Sequence, residues 1–250
     1  TDYFKPHHVF ERGGMKIGVI GIDIANKTKQ SSSPDETTMF ADELTTAQAE
    51  IDTLTAQGVQ HIVLLTHYQY ENDLALAKAL NGVDVIIGGD SHTLLGDFSD
   101  LGKNAAGPYP TVVTGAGGQT VCVAQAWQYA QIAGELQVSF DDNGAVTACS
   151  GTPHMMLADS FKRKNADGKR VELEGEARAA AIAAVKAHPN LSLVSADADA
   201  AAVLASFSGQ VDALKAEKIG TIASPLCLER IPGQGKSKMC DPADTAKNGS

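Results

Sequence analysis

The chain has 250 residues and a formal net charge of −10; 43% of its residues are hydrophobic and 20% are charged. These proportions are ordinary for a folded globular protein, and the length suffices for one complete core and part of a second. The negative charge argues against nucleic acid or an anionic membrane surface as the main partner. No apolar run could span a bilayer, and TDYFKPHH at the start contains no hydrophobic stretch of a signal peptide. We therefore expect a cytoplasmic protein, or a mature or truncated product.

The first half of the chain alternates predicted strands with predicted helices. The strands are nearly continuous apolar runs, as in a buried parallel sheet, and the helices have apolar residues at helical spacing. Gly58 is predicted to end the first helix, and Asn72 to cap the second. The elements are a strand at 16–23, a helix at 40–57, a strand at 61–67, a helix at 73–80 and a strand at 83–88. This order predicts right-handed crossovers and a parallel sheet.

The second half predicts an antiparallel or mixed sheet followed by helices. Short strands are expected at 111–114, 120–129, 134–140 and 145–149, and helices at 173–187 and 197–217. Asp142-Asn143-Gly144 is a strong hairpin signal between the last two strands. The glycine-rich segment 115–118 follows a strand without opening a helix, so we interpret it as a hairpin connection on the rim of the site rather than a phosphate loop.

Two of the predicted parallel strands run directly into polar clusters. HIVLLTH ends at His67, and VDVIIGGDSH ends with Asp90 and His92. The carboxyl ends of neighbouring parallel strands meet at one edge of a sheet, where open α/β sheets bind ligands. Gly88 and Gly89 let the backbone approach a ligand there. Imidazole and carboxylate are ligands for Zn, Mn, Fe or Ni, so the pattern indicates a metal site. The alternative is a Gly-Asp turn beside an exposed histidine.

The four cysteines allow two disulfides without requiring them. Cys122 and Cys149 lie in predicted strands, whereas Cys227 and Cys240 flank a loop rich in proline and glycine. No CxxC motif occurs, which argues against a structural zinc site or a thioredoxin-type motif.

These motifs resemble the 5′-nucleotidase family of the calcineurin-like metallophosphoesterases. The resemblance spans nearly the whole chain, and the order of the motifs is specific. It rests on KIGVIGID, LLTH, VDVIIGGDSHTLLGD, PTVVTGAGGQTVCVAQAWQY and the late IGTIASPLCLERIPG. It implies an α/β (α+β) fold: part of a metallophosphoesterase β-sandwich flanked by helices, followed by an interdomain helical segment.

The resemblance also implies the chemistry. Members of the family hold two divalent ions, such as Zn, Mn, Co or Mg, and hydrolyse phosphate esters or anhydrides of nucleotides, including NAD or UDP-sugars. By position, His67 would bind the second metal and His92 the first. Asp90 stands where the family usually has histidine, so it would be a ligand or would orient His92.

Several family features are absent from this sequence. The early motifs D-x-H, G-D-x-x-D and G-N-H-D/E, which supply the remaining ligands and the catalytic histidine, do not occur ahead of the strand at 61–67; matches to the first two occur only later, at 90–92 and 96–100. We therefore expect a fragment that is inactive in isolation and needs the N-terminal and C-terminal parts of the same protein to bind its nucleotide. The expected divisions are 1–157, the C-terminal part of the catalytic domain; 158–219, a helical segment; and 220–250, the start of a truncated C-terminal domain.

The family is usually periplasmic or secreted, which favours disulfides, and Cys227–Cys240 is the first expected pair because the two residues are close in sequence. Two rival interpretations stay open. One is a metal-poor binding or structural module that has lost catalysis, with Asp90 as its first sign. The other is a periplasmic ligand-binding α/β domain in which TH and GGDSH only form turns.

Overall fold

The computed structural model describes residues 4–221 together with Cys227 and Cys240. The chain divides into two compact units, Thr1–Ser195 and Ala196–Ser250. The described strands are β1 His7–Arg12, β2 Met15–Asp23, β3 His61–His67, β4 Val85–Gly88, β5 Thr111–Thr114, β6 Thr120–Gln125, β7 Ile132–Phe140, β8 Val146–Leu157, β9 Lys162–Lys164, β10 Arg170–Glu172 and β11 Leu191–Leu193. The described helices are α1 Ala25–Ser31, α2 Glu43–Ala56, α3 Tyr70–Ala79, α4 Gly175–Ala187 and α5 Ala198–Ala216.

A six-stranded sheet in the order β1-β2-β3-β4-β6-β5 forms the centre of the first unit. Strands β2, β3, β4 and β6 run parallel, while β1 and β5 add antiparallel edges. The predicted parallel sheet is thus confirmed. Its register sets Asp23 beside His67 and Gly88 beside Gln125, so these strands end at one edge.

The central sheet is covered on both faces. Helices α2 and α3 pack on one face through a cluster that includes the fully buried Ile51, Leu64 and Ile86. On the other face, β7 and β8 of a second sheet contribute Val146 and Phe140 to a smaller cluster around Cys122. This layering agrees with the expected α/β architecture, a sandwich flanked by helices.

The helix boundaries agree with the local sequence signals for α2 but not for α3. Asp42 caps α2 by accepting a hydrogen bond from the Thr45 amide at 2.8 Å, and Gly58 follows the helix with a φ of +78°. The prediction that Asn72 caps α3 is wrong, because the helix already begins at Tyr70. Asn72 instead donates a hydrogen bond to the Tyr68 carbonyl at 2.8 Å.

The second half is antiparallel where predicted, with additions. Strands β7 and β8 form a hairpin, and the Gly144 amide closes its turn on the Asp141 carbonyl at 3.0 Å. The segment 115–118 does connect the β5–β6 hairpin, but its expected place on the site rim is wrong. The Ala116 amide bonds to the Leu80 carbonyl, before β4 begins, at the edge opposite the polar clusters. The additional strands, not predicted, are β1, β9, β10 and β11.

Both cysteine pairs are bridged. Cys122 of β6 bonds to Cys149 of β8 and so links the central sheet to the sheet that contains β7 and β8. Cys227 bonds to Cys240 in the second unit. The remainder of the predicted segment 220–250, after residue 221, lies outside the described residues. No helix in the described part of the chain is long and apolar enough to cross a membrane.

Candidate functional site

The two polar clusters meet at the carboxyl edge of the central sheet. Nε2 of His67, the last residue of β3, lies 3.3 Å from Oδ1 of Asp90, which follows β4. The two side chains differ in environment: that of His67 is 63% exposed, and that of Asp90 is 5% exposed. The pair therefore places one solvent-exposed ligand group, the His67 imidazole, next to one enclosed ligand group, the Asp90 carboxylate.

Asp90 is held by two further residues that the sequence did not indicate. Lys27 of α1 forms an ion pair with Oδ1, and Gln69 Nε2 donates a hydrogen bond to Oδ2 at 3.0 Å. Burial alone would raise the pKa of Asp90. The hydrogen bonds from Lys27 and Gln69, with the charges of Lys27 and His67, outweigh burial and hold that pKa below its usual value. Asp90 is therefore an ionised carboxylate at neutral pH.

The described contact of His92 is with a different residue. Its ring packs edge-on against the exposed Tyr129, with ring centroids 5.0 Å apart. Among the described residues, no group of three or more His, Cys, Asp or Glu side chains is arranged to hold a metal ion. The structure thus brings together two of the three predicted ligands.

The loop that carries Asp90 and His92 has an unusual backbone. Asp90 and His92 adopt φ angles of +70° and +51°, and Gln69 on the facing loop adopts +79°. Left-handed geometry costs an L-residue roughly 1–2 kcal/mol. The two loops are tied to each other, because the Gln69 amide donates to the Gly89 carbonyl at 3.2 Å and the Tyr70 amide to Ser91 Oγ at 3.0 Å.

The close approach of the two loops favours glycine at position 89. A Cβ atom at Gly89 would lie 3.2 Å from the Thr66 carbonyl oxygen and 3.5 Å from the His67 ring. The contact with Thr66 is tighter than ordinary van der Waals contact, so a side chain at Gly89 would displace the Thr66 carbonyl by a few tenths of an ångström.

A buried carboxyl lies beneath the edge. Asp73 of α3 is fully buried, and its Oδ1 accepts a hydrogen bond from Thr66 Oγ1 at 2.7 Å. None of the described residues donates a hydrogen bond to its Oδ2. Burial raises the pKa of Asp73 to about 7, against the opposing effect of the Thr66 hydrogen bond.

The ligand groups at this edge are of types that bind a divalent ion, but there are too few of them among the described residues to complete a metal site. Imidazole and carboxylate are common ligands of Zn and Mn, but such ions take four to six ligands. His67 and Asp90 supply two. Lys27 neutralises Asp90 in the present arrangement, so a metal ion would have to exchange with its ammonium group.

The chain is similar in sequence to known proteins. No family model matches the chain. The chain is 37% identical over 222 residues to a "Probable 5′-nucleotidase" of Treponema pallidum, a match covering 88% of this chain and 37% of that protein. It is 32% identical over 250 residues to the NAD 5′-nucleotidase of Haemophilus influenzae, covering 99% and 41%. The chain is a homologue of the 5′-nucleotidases. It spans about two fifths of the length of these relatives.

Solved structures support the same relationship. The NAD nucleotidase of Haemophilus influenzae superposes with a TM-score of 0.81 and 34% identity, over 87% of this chain and 44% of that one. A 5′-nucleotidase precursor from Thermus thermophilus gives a TM-score of 0.52 and 42% identity, over 58% and 29%. The α/β fold expected from the sequence is thereby confirmed.

Proposed function

We propose that this homologue of the 5′-nucleotidases is the part of a two-metal nucleotide hydrolase that contributes the second half of its metal centre. The observation that carries the proposal is the contact between His67 and Asp90 at the carboxyl edge of the sheet. The substrate would be a nucleotide phosphate ester or anhydride. A 5′-nucleotide such as AMP, or NAD, is the first candidate because the relatives are named 5′-nucleotidase and NAD 5′-nucleotidase.

The predicted ligands would bind different metal ions. His67 and Asp90 would bind the second metal ion, and His92 would bind the first with ligands from outside the described residues. When bound, the ions would polarise the phosphoryl oxygens and activate a water molecule. Gln69 keeps Asp90 oriented, and the low pKa of Asp90 keeps it ready to bind without first losing a proton.

The remaining assignments follow from the same proposal. Residues 1–157 would form the C-terminal part of the catalytic domain, 158–219 a helical segment, and 220–250 the start of a C-terminal domain. The N-terminal and C-terminal parts of the same protein would complete the active site. The two disulfides favour a periplasmic or secreted location.

Replacement of His67 tests the function in the complete gene product that contains this chain. We expect the unmodified protein to hydrolyse AMP or NAD with Mn, Co or Zn, and the isolated 250-residue chain to hydrolyse neither. His67→Ala should lower metal affinity about 100-fold, because a direct ligand is removed. This is the upper end of the loss seen when residues that orient metal ligands are replaced. Calorimetric titration with Mn and a phosphate-release assay measure both effects.

His8→Ala is the matched control. His8 is an exposed histidine on β1 of the same sheet, and its ring contacts Phe10 rather than the candidate site. It should leave metal affinity and hydrolysis unchanged. Equal metal affinity of the His67→Ala variant and the unmodified protein would refute the proposal.

A second candidate function is a metal-poor binding or structural module. The ion pair between Lys27 and Asp90 favours it, because a carboxylate already neutralised by an ammonium group is a poorer metal ligand. Elemental analysis of the complete protein decides between the two. A module of this kind would carry no stoichiometric transition metal, whereas the hydrolase would carry up to two ions.

A further inference from the structure

A buried glutamine stands behind the loop that carries Asp90 and His92. Gln125 is the last residue of β6 and is 3% exposed. In the parallel register it lies beside Gly88, the last residue of β4. Its side chain is therefore placed at the point where the loop leaves the sheet.

The amide of Gln125 makes three hydrogen bonds to that loop. Oε1 accepts from the Thr93 backbone amide and from Ser91 Oγ, the latter at 3.2 Å. Nε2 donates to the Gly89 carbonyl at 3.1 Å. The bonded positions alternate with Asp90 and His92: Gln125 holds the backbone before and after the two predicted ligands and the Ser91 side chain between them.

The chemistry of the partners sets the orientation of the amide. The Gly89 carbonyl can only accept a hydrogen bond, and the Thr93 amide can only donate one. A carboxylate at position 125 could serve Thr93 but not Gly89, and an apolar side chain could serve neither. Asparagine has the same groups on a side chain one methylene shorter. Glutamine is therefore the residue that meets both demands at this distance.

We propose that Gln125 is a positioning residue that holds the loop Gly89–Thr93 in the left-handed geometry on which the positions of Asp90 and His92 depend. The backbone angles of these two residues are unfavourable in isolation, so the loop needs fixed partners to keep them. Gln125 supplies such partners from a rigid strand, whereas Gln69 supplies them from the facing loop. The link to metal binding rests on the proposed function; the link to loop geometry does not.

Three variants of the 250-residue chain test the assignment. Gln125→Leu removes all three hydrogen bonds, and Gln125→Glu keeps an acceptor for Thr93 while losing the donor to Gly89. Gln119→Leu is the matched control, because Gln119 precedes the opposite end of β6 and donates to the Leu80 carbonyl rather than to this loop. Hydrogen exchange of the Thr93 amide reports the loop directly, and thermal unfolding reports the fold.

For Gln125→Leu we expect Thr93 exchange to accelerate about tenfold, the equivalent of one lost hydrogen bond. Gln125→Glu should give a smaller acceleration, and Gln119→Leu none even if it lowers the melting temperature. In the complete gene product, Gln125→Leu should also weaken Mn binding about tenfold, as expected for a residue that orients ligands.

Two results would overturn the assignment. One is unchanged Thr93 exchange in both Gln125 variants. The other is equal acceleration in the Gln119 control, which would indicate general destabilisation. If Gln125→Leu does not fold, Gln125→Glu decides by the same exchange measurement. Absence of Mn binding in the unmodified complete protein would refute the proposed function. The role of Gln125 in the loop would then be decided by Thr93 exchange alone.

Discussion

Replacement of Asp73 by asparagine is expected to make the protein more stable than the unmodified chain at pH 8 and to flatten the fall in stability between pH 4 and pH 7. Asp73 is fully buried, and burial raises its pKa from 3.8 to about 7. The folded state thus keeps a proton that the unfolded chain releases near pH 4. Because the folded state binds more protons across this interval, stability falls as the pH rises and levels off above pH 7.

The magnitude follows from the size of the shift. Three pH units at about 1.4 kcal/mol per unit correspond to about 4 kcal/mol, taken as an order of magnitude. Asparagine does not ionise, so the stability of the variant lacks this dependence on pH. Urea unfolding at several pH values measures the free energy of unfolding of both proteins, and their difference isolates Asp73 from the other acidic groups.

Asp84→Asn provides a graded control. Asp84 is 7% exposed, accepts a hydrogen bond from the Ile62 amide at 2.7 Å, and has a pKa that burial raises to about 6. Its replacement should remove a similar slope over a narrower interval, which ends near pH 6, and so a smaller total change in stability. If the difference in stability between Asp73→Asn and the unmodified chain does not change with pH, the inferred protonation of Asp73 is wrong.

Removal of the Cys122–Cys149 bridge is expected to lower the free energy of unfolding by about 3–4 kcal/mol. The bridge closes a segment with a sequence separation of 27, and the loss of that constraint on the unfolded chain accounts for an effect of this size. Alanine at both positions removes the bridge without leaving a free thiol in the core beside Val146 and Phe140.

Urea unfolding followed by the fluorescence of Trp127, the single tryptophan and a residue of the first unit, measures the change. Reductant should destabilise the unmodified chain by at least as much as the double alanine substitution does. A loss of less than about 1 kcal/mol in the variant would show that the bridge contributes little to the stability of the first unit.

The sequence was a good guide wherever burial imposes a pattern. The strands that end at His67 and Gly88 were predicted because their side chains are apolar on a sheet covered on both faces. The start of α3 was missed because Gln69, with a positive φ, ends the loop without a capping side chain. Boundaries of this kind depend on the facing loop, which local sequence does not reveal.

The candidate site was only partly predictable for a related reason. His67 and Asp90 follow apolar strands and could be found from that position alone. Lys27 lies on a helix with no buried residues, so its sequence has no apolar periodicity to mark it. Gln125 did leave a signal, because a single amide ends the apolar run VCVA, but the predicted strand ran past it to residue 129.

The short helix α1, which carries Lys27 of the candidate site, has no buried residue, so polar contacts rather than a packed apolar face hold it in place. Its contacts with the edge of the sheet include the ion pair from Lys27 to Asp90 and the hydrogen bond from Thr28 to Asp23 at 2.8 Å. Attachments of this kind weaken as ionic strength rises, whereas apolar contacts do not. The order of α1 should therefore respond to dissolved salt while the sheet beside it remains unchanged.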